Sequence, residues 1–393
     1  MRILFVTPRF PYPLSKGDQL RVYHAIRRLS ARHDIGLVSA ADAPVDEASL
    51  AEMRRWCRRV EVVAVSRRAA VARIATRAAF SRLPLQVLYF DAPRLRAAIA
   101  RALQEETYDV VHAQLLRVLP HVWDVRTPPV VVDLMDAFAL SIAGRRDRAR
   151  PLARPFYDFE RRRVAAYEAR AVDRFSELIV AAEGDRLALG ASTRITAVGN
   201  GVDLASFRYG ECTGRDEQTA IMTGNMGYGP NVDAALWFAR DVWPLVRAQR
   251  PAARLRLVGA APAASVRALA GSAGIEVTGA VPDVNAELRA ATLAVCPMRT
   301  GTGVQNKVLE ALASGTPLIS TALGNRGVGA EPGRDLLVAD DAPDMADAVR
   351  TLLGDPVRRA ALATAGRRLM ETAYDWDVHA RALETIYARA IKA

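Results

Sequence analysis

The residues best suited to chemistry lie between positions 299 and 327, in RTGTGVQNKVLEALASGTPLISTALGNRG. Gly301 and Gly303 stand just before a helix predicted to start near Val304. Glycine there lets the backbone approach a ligand closely, and the first helical N–H groups point outward without partners. Such a helix start is an anion site, and phosphate is the usual anion. Gly303, Val304, Gln305 and Asn306 supply the amides, and Lys307 in the first turn adds a full positive charge. Glu310, three residues on, shares the face of Lys307. Its carboxylate can accept two hydrogen bonds from a vicinal diol such as a ribose. Leu309, Leu312 and Ala313 form the buried side. Ser314-Gly315-Thr316-Pro317 ends the helix, with Gly315 as a left-handed cap and Pro317 blocking continuation. The same residues would also suit an ordinary α/β unit with a salt-bridged Lys-Glu pair on its surface.

Such a site needs strands that deliver loops to it, and the chain has room for them. Its 393 residues allow two domains with separate cores. Half the residues are hydrophobic and a quarter charged, as in ordinary globular proteins. No apolar run reaches the roughly 18 residues that span a bilayer, and MRILFVTPRF reads as strand and turn, not as a signal peptide. Cys57, Cys212 and Cys296 are too few and scattered for a disulfide framework or a zinc site, which suits a reducing, cytoplasmic setting. The formal charge is +11. Residues 1–190 hold 32 Lys and Arg against 22 Asp and Glu, and the rest of the chain is almost balanced. A basic half can meet nucleic acid, anionic lipid or an anionic substrate. No nucleic-acid fold signature is present, so no nucleic-acid partner is expected. An anionic membrane surface or lipid phosphate is preferred.

In chain order, RILFVT opens the first domain as a strand, followed by a loop through Gly17 and a helix, RVYHAIRRLSAR. This is a Rossmann-like start. His24 on that helix reads as a packed or solvated histidine. DIGLVSA and VEVVAV are strands, with a helix over 46–59 between them. Residues 67–101 read as one helical, Arg-rich excursion with aromatic residues interleaved, a pattern that can lie on a membrane surface. YDVVHAQ and PPVVVDLMDAF are further strands. Strand ends in open α/β sheets face the ligand crevice, which makes His112, Gln114, Asp133 and Asp136 candidates. The basic stretch from Arg145 to Phe175 reads as a solvated face or an acceptor-side element, and ELIVAAEGDR as a closing strand with Glu183 at its end. Asn200-Gly201-Val202-Asp203 is a turn. A second alternation then begins with AIMTGNMGYGPNVDAALWFAR, and residues 343–372 are helical before a last helix, VHARALETIYARAIKA.

GTGVQNKVLEALASGTP resembles the nucleotide-sugar signature of retaining GT-B glycosyltransferases (group 1, family 4-like). That family includes sucrose synthases and bacterial mannosyltransferases. The GTGVQNK variant is similar to a subgroup of exopolysaccharide sugar transferases. The resemblance covers nearly the whole chain and is strongest at 221–233 and 299–327. It implies a GT-B fold, with two Rossmann-like α/β/α domains across a cleft. Residues 1–200, completed by the C-terminal helix 374–393, would form the acceptor side, and 201–373 the donor side. It implies that Lys307 meets the donor diphosphate and Glu310 its ribose. Gly17, Gly224, Asn225, Met226, Gly301, Gly303, Val304, Gln305 and Asn306 would contact the donor, and Val281 would read the base by its backbone. Four features depart from the family: Asp18 follows Gly17 where a second Gly is expected, and the loop at 224–227 lacks the Arg and Lys of many relatives. Thr302 stands where relatives often have a second Glu, and Met135 where they have a His near the reacting sugar. Asp136, with Asp133 and His112 behind it, is therefore expected in the acceptor-side role.

The expected activity is metal-independent hexosyl transfer from a nucleoside-diphosphate sugar, as co-substrate, to a lipid-linked or glycan acceptor. No cofactor is expected. The expected location is the cytoplasm, peripheral on the inner face of the membrane. A GT-B sugar-nucleotide epimerase and a non-catalytic nucleotide-sugar-binding protein stay open as alternatives. A Rossmann dehydrogenase is disfavoured because no G-x-G-x-x-G follows the first strand.

Overall fold

The computed structural model describes residues 1–14, 16–210, 218–301 and 303–393, apart from the side chain of Arg148. Cys212 and Thr302 lie outside the described residues. The chain divides into two units, 1–198 with 379–393, and 199–378.

The first unit is built on β1 (Arg2–Thr7), β2 (Asp34–Ala41), β3 (Arg59–Ala64), β4 (Val110–Gln114), β5 (Val130–Met135), β6 (Glu177–Val180) and β7 (Ile195–Ala197). They form one parallel sheet in the order β3-β2-β1-β4-β5-β6-β7. The inner strands are buried along nearly their whole length because helices cover both faces. Phe5 aligns with His112, and His112 with Val131, so one register runs through the centre. The strand order reverses between β1 and β4, and ligands in open α/β sheets bind at the carboxyl ends beside such a point.

The second unit repeats the plan with β8 (Thr219–Thr223), β9 (Arg254–Val258), β10 (Ile275–Gly279), β11 (Leu293–Cys296), β12 (Leu318–Ser320) and β13 (Leu337–Val338). All pair in parallel, in the order β10-β9-β8-β11-β12-β13. Its reversal lies between β8 and β11. The glycine-bearing loops that follow these two strands are the ones singled out in the sequence.

The C-terminal helix Trp376–Lys392 packs Ala380, Leu383, Ile386, Tyr387 and Ala390 into the core between β1, β4 and the helix Gly17–Leu29. Its first residue, Trp376, is buried in the second unit, where its ring fills the space a Cβ on Gly201 would need.

Several helices differ from the sequence expectation, each for a local reason. The stretch 67–101 is three helices, Arg67–Arg77, Leu85–Phe90 and Pro93–Glu105. Pro84 and Pro93 each open a new helix and push the preceding residue out of helical geometry. The helix expected over 46–59 is Glu47–Arg54, started by Asp46, whose carboxylate accepts from the Ser49 amide at 2.7 Å. Residues 343–372 break at Asp355-Pro356 into Ala342–Gly354 and Pro356–Leu369. Glu183 opens the helix Glu183–Ala188 and pairs with Arg186. Gly17 is the first residue of the helix Gly17–Leu29, where a loop position had been expected. Among the described residues, no helix is long and apolar enough to cross a membrane.

Candidate functional site

Three strand ends in the second unit build the site. β8 runs into Gly224, β9 into Gly259, and both glycines take positive φ, +142° and +150°. A Cβ on Gly259 would lie 1.7 Å from the Gly224 carbonyl oxygen, so only glycine allows the two loops to touch. β11 runs into Gly301 and Gly303, at φ 131° and 73°. A residue with the Gly303 conformation cannot continue a helix, which explains why the helix begins at Asn306 and not near Val304. It spans Asn306–Ala313 and buries Val308, Leu309, Leu312 and Ala313. Gly315, at φ 69°, ends it as expected.

Lys307 sits where these loops meet. Its Nζ donates to Asn231 Oδ1 at 2.9 Å and to Gln305 Oε1 at 3.1 Å. Its Cε approaches the place a Cβ would occupy on Gly224. Asn231, on the helix Gly229–Trp237, is held by its own Nδ2, which donates to the Asn225 carbonyl at 2.9 Å. Asn225 Oδ1 in turn accepts from the Gly227 amide. The lysine is therefore positioned by neutral oxygens. Among the described residues no carboxylate lies within ion-pair distance of it, so the surface Lys-Glu salt bridge is not formed. Glu310 is half-buried, and its carboxylate makes no hydrogen bond among the described residues. Burial pushes its pKa up to about 7, against the opposing pull of Lys307. One helix face thus carries a cation and a carboxylate that are each free for a ligand.

The other donor-side candidates fall into two groups. Gly301, Gly303, Val304, Gln305 and Asn306 line the approach to Lys307, and Asn306 Oδ1 accepts from Asn200 Nδ2 at 3.3 Å. Val304 rests on Gly327, where any Cβ would clash with it. Val281, just beyond β10, is half-buried on the same core. Met226 is different. Its side chain is 0% exposed and packs in the core, so only its backbone, bonded to Ala260 and Ala263, belongs to the loop. A donor contact at Met226 would therefore come from its backbone.

In the first unit, Asp133 and His112 are also corrected as acceptor-side groups. Asp133 is 1% exposed and accepts from Arg21 Nε at 2.6 Å and from the Met135 amide at 3.0 Å. Burial alone would raise its pKa, but Arg21 and then His112 hold it below the usual carboxylate range. His112 shares a hydrogen bond of 2.8 Å with the Tyr387 hydroxyl and packs on Phe5. Burial lowers its pKa to about 4 against the pull of Asp133, so it is neutral at pH 7. These groups fasten the C-terminal helix to the sheet and are sealed from any acceptor. Gln114 donates to the Asp18 carbonyl at 2.7 Å, which fixes the start of the helix Gly17–Leu29. Gly17 itself has open space around it. His24 is buried, edge-on to Tyr23.

Asp136 differs from its neighbours. It is half-buried, and burial, followed by the charge of Asp185, raises its pKa to about 6. Met135 and Leu115, at the ends of β5 and β4, both take φ near 64°. Left-handed non-glycine residues are strained, and such strain gathers at functional sites. Sequence reading missed Asn231, Gly259, Arg21 and Tyr387. Glycine right after an apolar strand was the available signal for Gly259. The others are recognisable only once the fold brings them together. Among the described residues, no three or more His, Cys, Asp or Glu side chains are grouped to hold a metal ion.

Residues 217–355 match the family described as Glycosyl transferases group 1. The match lies within the second unit. Over the whole chain, the two units share the GT-B fold with solved structures. Sucrose-phosphate synthase from Thermosynechococcus elongatus matches with TM-score 0.72 and 16% identity, covering 100% of both chains. Anabaena Alr3699/HepE in complex with UDP matches with TM-score 0.68 and 13% identity, covering 99% of this chain and 100% of that one. A Klebsiella pneumoniae protein described as an uncharacterized 44.6 kDa protein in the cps region is 22% identical, over 86% of this chain and 88% of its own. The GDP-mannose-dependent monoacylated alpha-(1-6)-phosphatidylinositol monomannoside mannosyltransferase of Corynebacterium glutamicum is 33% identical over 155 residues, 36% of this chain and 41% of its own.

Asp133 should behave as a structural group and Asp136 should not. Asp133→Asn removes the buried carboxylate that pairs with Arg21 and should lower stability by about 3–5 kcal/mol. Asp136→Asn should leave the urea unfolding midpoint within experimental error. Because His112 is held neutral when folded but titrates near 6.5 when unfolded, its own contribution to stability should be lost as pH drops below about 6.5. Equal midpoints for the two variants would refute the distinction.

Proposed function

We propose that the protein is a retaining glycosyltransferase that moves a sugar from a nucleoside-diphosphate sugar to a lipid-linked or glycan acceptor, in polysaccharide or glycolipid synthesis. The observation that carries this reading is the arrangement of Lys307 and Glu310. Both lie on one face of a glycine-preceded helix at the carboxyl ends of β8 and β11, and neither is paired with the other. The donor diphosphate would take the place of Asn231 and Gln305 on Lys307 and receive the amides of residues 303–306. Glu310 would accept both hydroxyls of the ribose. Negative charge develops on the departing diphosphate, and preorganised donors aimed at that charge speed its departure. A front-face mechanism, in which the leaving phosphate takes the acceptor proton, needs no carboxylate nucleophile. Asp136, whose raised pKa lets it exchange a proton near neutrality, is the acceptor-side group in this scheme. The UDP and GDP-mannose named for similar proteins support a nucleoside-diphosphate donor without choosing the base.

We further infer peripheral binding to the cytoplasmic face of the membrane. What supports it is the basic first half and its exposed apolar side chains. Phe80 is 92% exposed and Leu152 97%, and Phe156 and Phe159 are also exposed, among Arg77, Arg82, Arg154 and Arg161. Basic residues draw such a surface to anionic lipid, while apolar tips enter the headgroup layer.

Three outcomes are expected. First, Lys307→Ala should reduce turnover on the order of 10²–10³-fold with little loss of stability, and wild-type activity should persist in EDTA. Near-normal turnover in the variant, or loss on chelation restored by magnesium, would contradict the scheme. Second, donor binding needs ionised Glu310. With its pKa about 7, affinity for the donor sugar nucleotide should rise about tenfold from pH 6 to 8. Glu310→Gln should bind more weakly and flatten that profile in calorimetry. A profile unchanged in the variant would remove Glu310 from the ribose site. Third, sedimentation with phosphatidylglycerol vesicles should exceed that with phosphatidylcholine and decline with salt. Equal recovery with both would argue for a soluble acceptor.

A further inference from the structure

Three arginines at the ligand-facing edge of the first sheet have no role in the scheme above. Arg9 follows β1 by two residues, Arg117 follows β4 by three, and Arg145 lies on the helix Phe138–Arg148 after β5. β1, β4 and β5 are neighbours in the sheet and run parallel, so all three side chains come from segments leaving its carboxyl edge. Open α/β sheets take their ligands at that edge.

Of the three arginines, only Arg9 has a carboxylate partner among the described residues. Asp18 pairs with Arg9, and its backbone carbonyl is held by Gln114. Arg117 and Arg145 have no carboxylate partner among the described residues. Arg117 donates Nε to Gln86 Oε1 at 3.0 Å and lies 5.6 Å from the centre of the Phe90 ring. Arg145 lies 5.4 Å from the centre of Phe138. Both are thus placed by aromatic faces, and stacking leaves the edge of a guanidinium free to donate. Burial, then the charge of Arg9, lowers the pKa of Arg117, with Arg145 adding to the effect against Asp18. Adjoining strand ends thus bring like charges to one edge of the sheet, and an anion would relieve them.

We propose that Arg9, Arg117 and Arg145 form an anion site that holds a phosphate or diphosphate group carried by the acceptor. Guanidinium forks match phosphate oxygens two at a time, so the group would be fixed in orientation as well as place. The word acceptor rests on the glycosyltransferase reading, but the anion site does not. A lipid phosphate and a soluble phosphorylated sugar present the same chemistry to it.

The test is calorimetric binding of inorganic pyrophosphate to the full-length chain. Lys307→Ala serves as background, because it removes the donor-side cation. In that background pyrophosphate should still bind. Adding Arg117→Gln should weaken it at least tenfold and Arg145→Gln at least fivefold. Arg117 packs on Phe90, so its variant can disturb the fold. Arg145 is exposed and makes no ion pair, so Arg145→Gln keeps the question answerable. In an otherwise wild-type chain, both substitutions should leave nucleoside-diphosphate affinity within twofold. Farnesyl diphosphate in detergent micelles, tighter than pyrophosphate, would point to a lipid carrier, and equal affinity to a soluble one. Absence of binding in Lys307→Ala, or binding that neither arginine substitution weakens, would overturn the site. Pyrophosphate binding that depends on the arginines, in a chain that binds no nucleoside diphosphate, would overturn the glycosyltransferase reading and leave the anion site standing.

Discussion

The second unit depends on one close approach, between the Gly224 carbonyl and Gly259. Any side chain at 259 would occupy the space of that carbonyl. With the two loops in contact, Asn225 and Asn231 hydrogen-bond into a fixed frame, and Asn231 presents its side-chain oxygen to Lys307. The lysine is thereby held in place by a neutral group. A carboxylate partner would have held it more tightly, but an incoming phosphate would then have had to break an ion pair. A neutral amide oxygen is easier to displace and still fixes the ammonium before the ligand arrives. That is the meaning of preorganisation at a site of developing negative charge.

The two units share a strand order and use their switch points differently. The second leaves its own open, lined by amides, a lysine and an unpaired carboxylate. In the first, the end of β5 is filled by Arg21, Asp133, His112 and Tyr387. A buried ion pair is weak support for stability as such, because desolvation offsets much of the attraction. Its value here lies in position. Tyr387 belongs to the C-terminal helix, so the network fixes where that helix lies on the sheet. The same strand ends then turn sharply at Leu115 and Met135, which carries the following residues away from the buried cluster. Asp136 is the first carboxylate beyond that turn, and it is the one that keeps contact with solvent.

Much of this was legible in the sequence, and the limits have physical reasons. Mainly apolar strands alternating with helical segments marked the two α/β units, because a strand buried on both faces takes few polar residues. The Gly-x-Gly run and the Lys-Glu spacing gave the helix start and the shared face, because those depend on local geometry. Asp133 and Asp136 could not be told apart, since they are three residues apart on one strand end. What separates them is Arg21, 112 residues away in sequence. His112 had the same difficulty, because its partner is 275 residues distant. Met226 looked like a loop residue, and it is one by its backbone. Its side chain turns into the core, which no local pattern reveals. Pro84, Pro93 and Pro356 interrupt the long helical periodicity, and each stands at the start of a new helix.

Lys307 and Glu310 also influence each other in a way that bears on ligand order. Their shared face brings the ammonium close enough to lower the carboxyl pKa, yet burial still leaves that pKa about 7. A carboxylate ionised outright would repel an approaching diphosphate. In the proposed reading, an ionised Glu310 accepts from a diol, and those hydrogen bonds replace the water that burial removed. On that reading the helix would favour a ligand that carries both groups at the right separation over one that carries phosphate alone. A nucleoside diphosphate is such a ligand, and inorganic pyrophosphate is not.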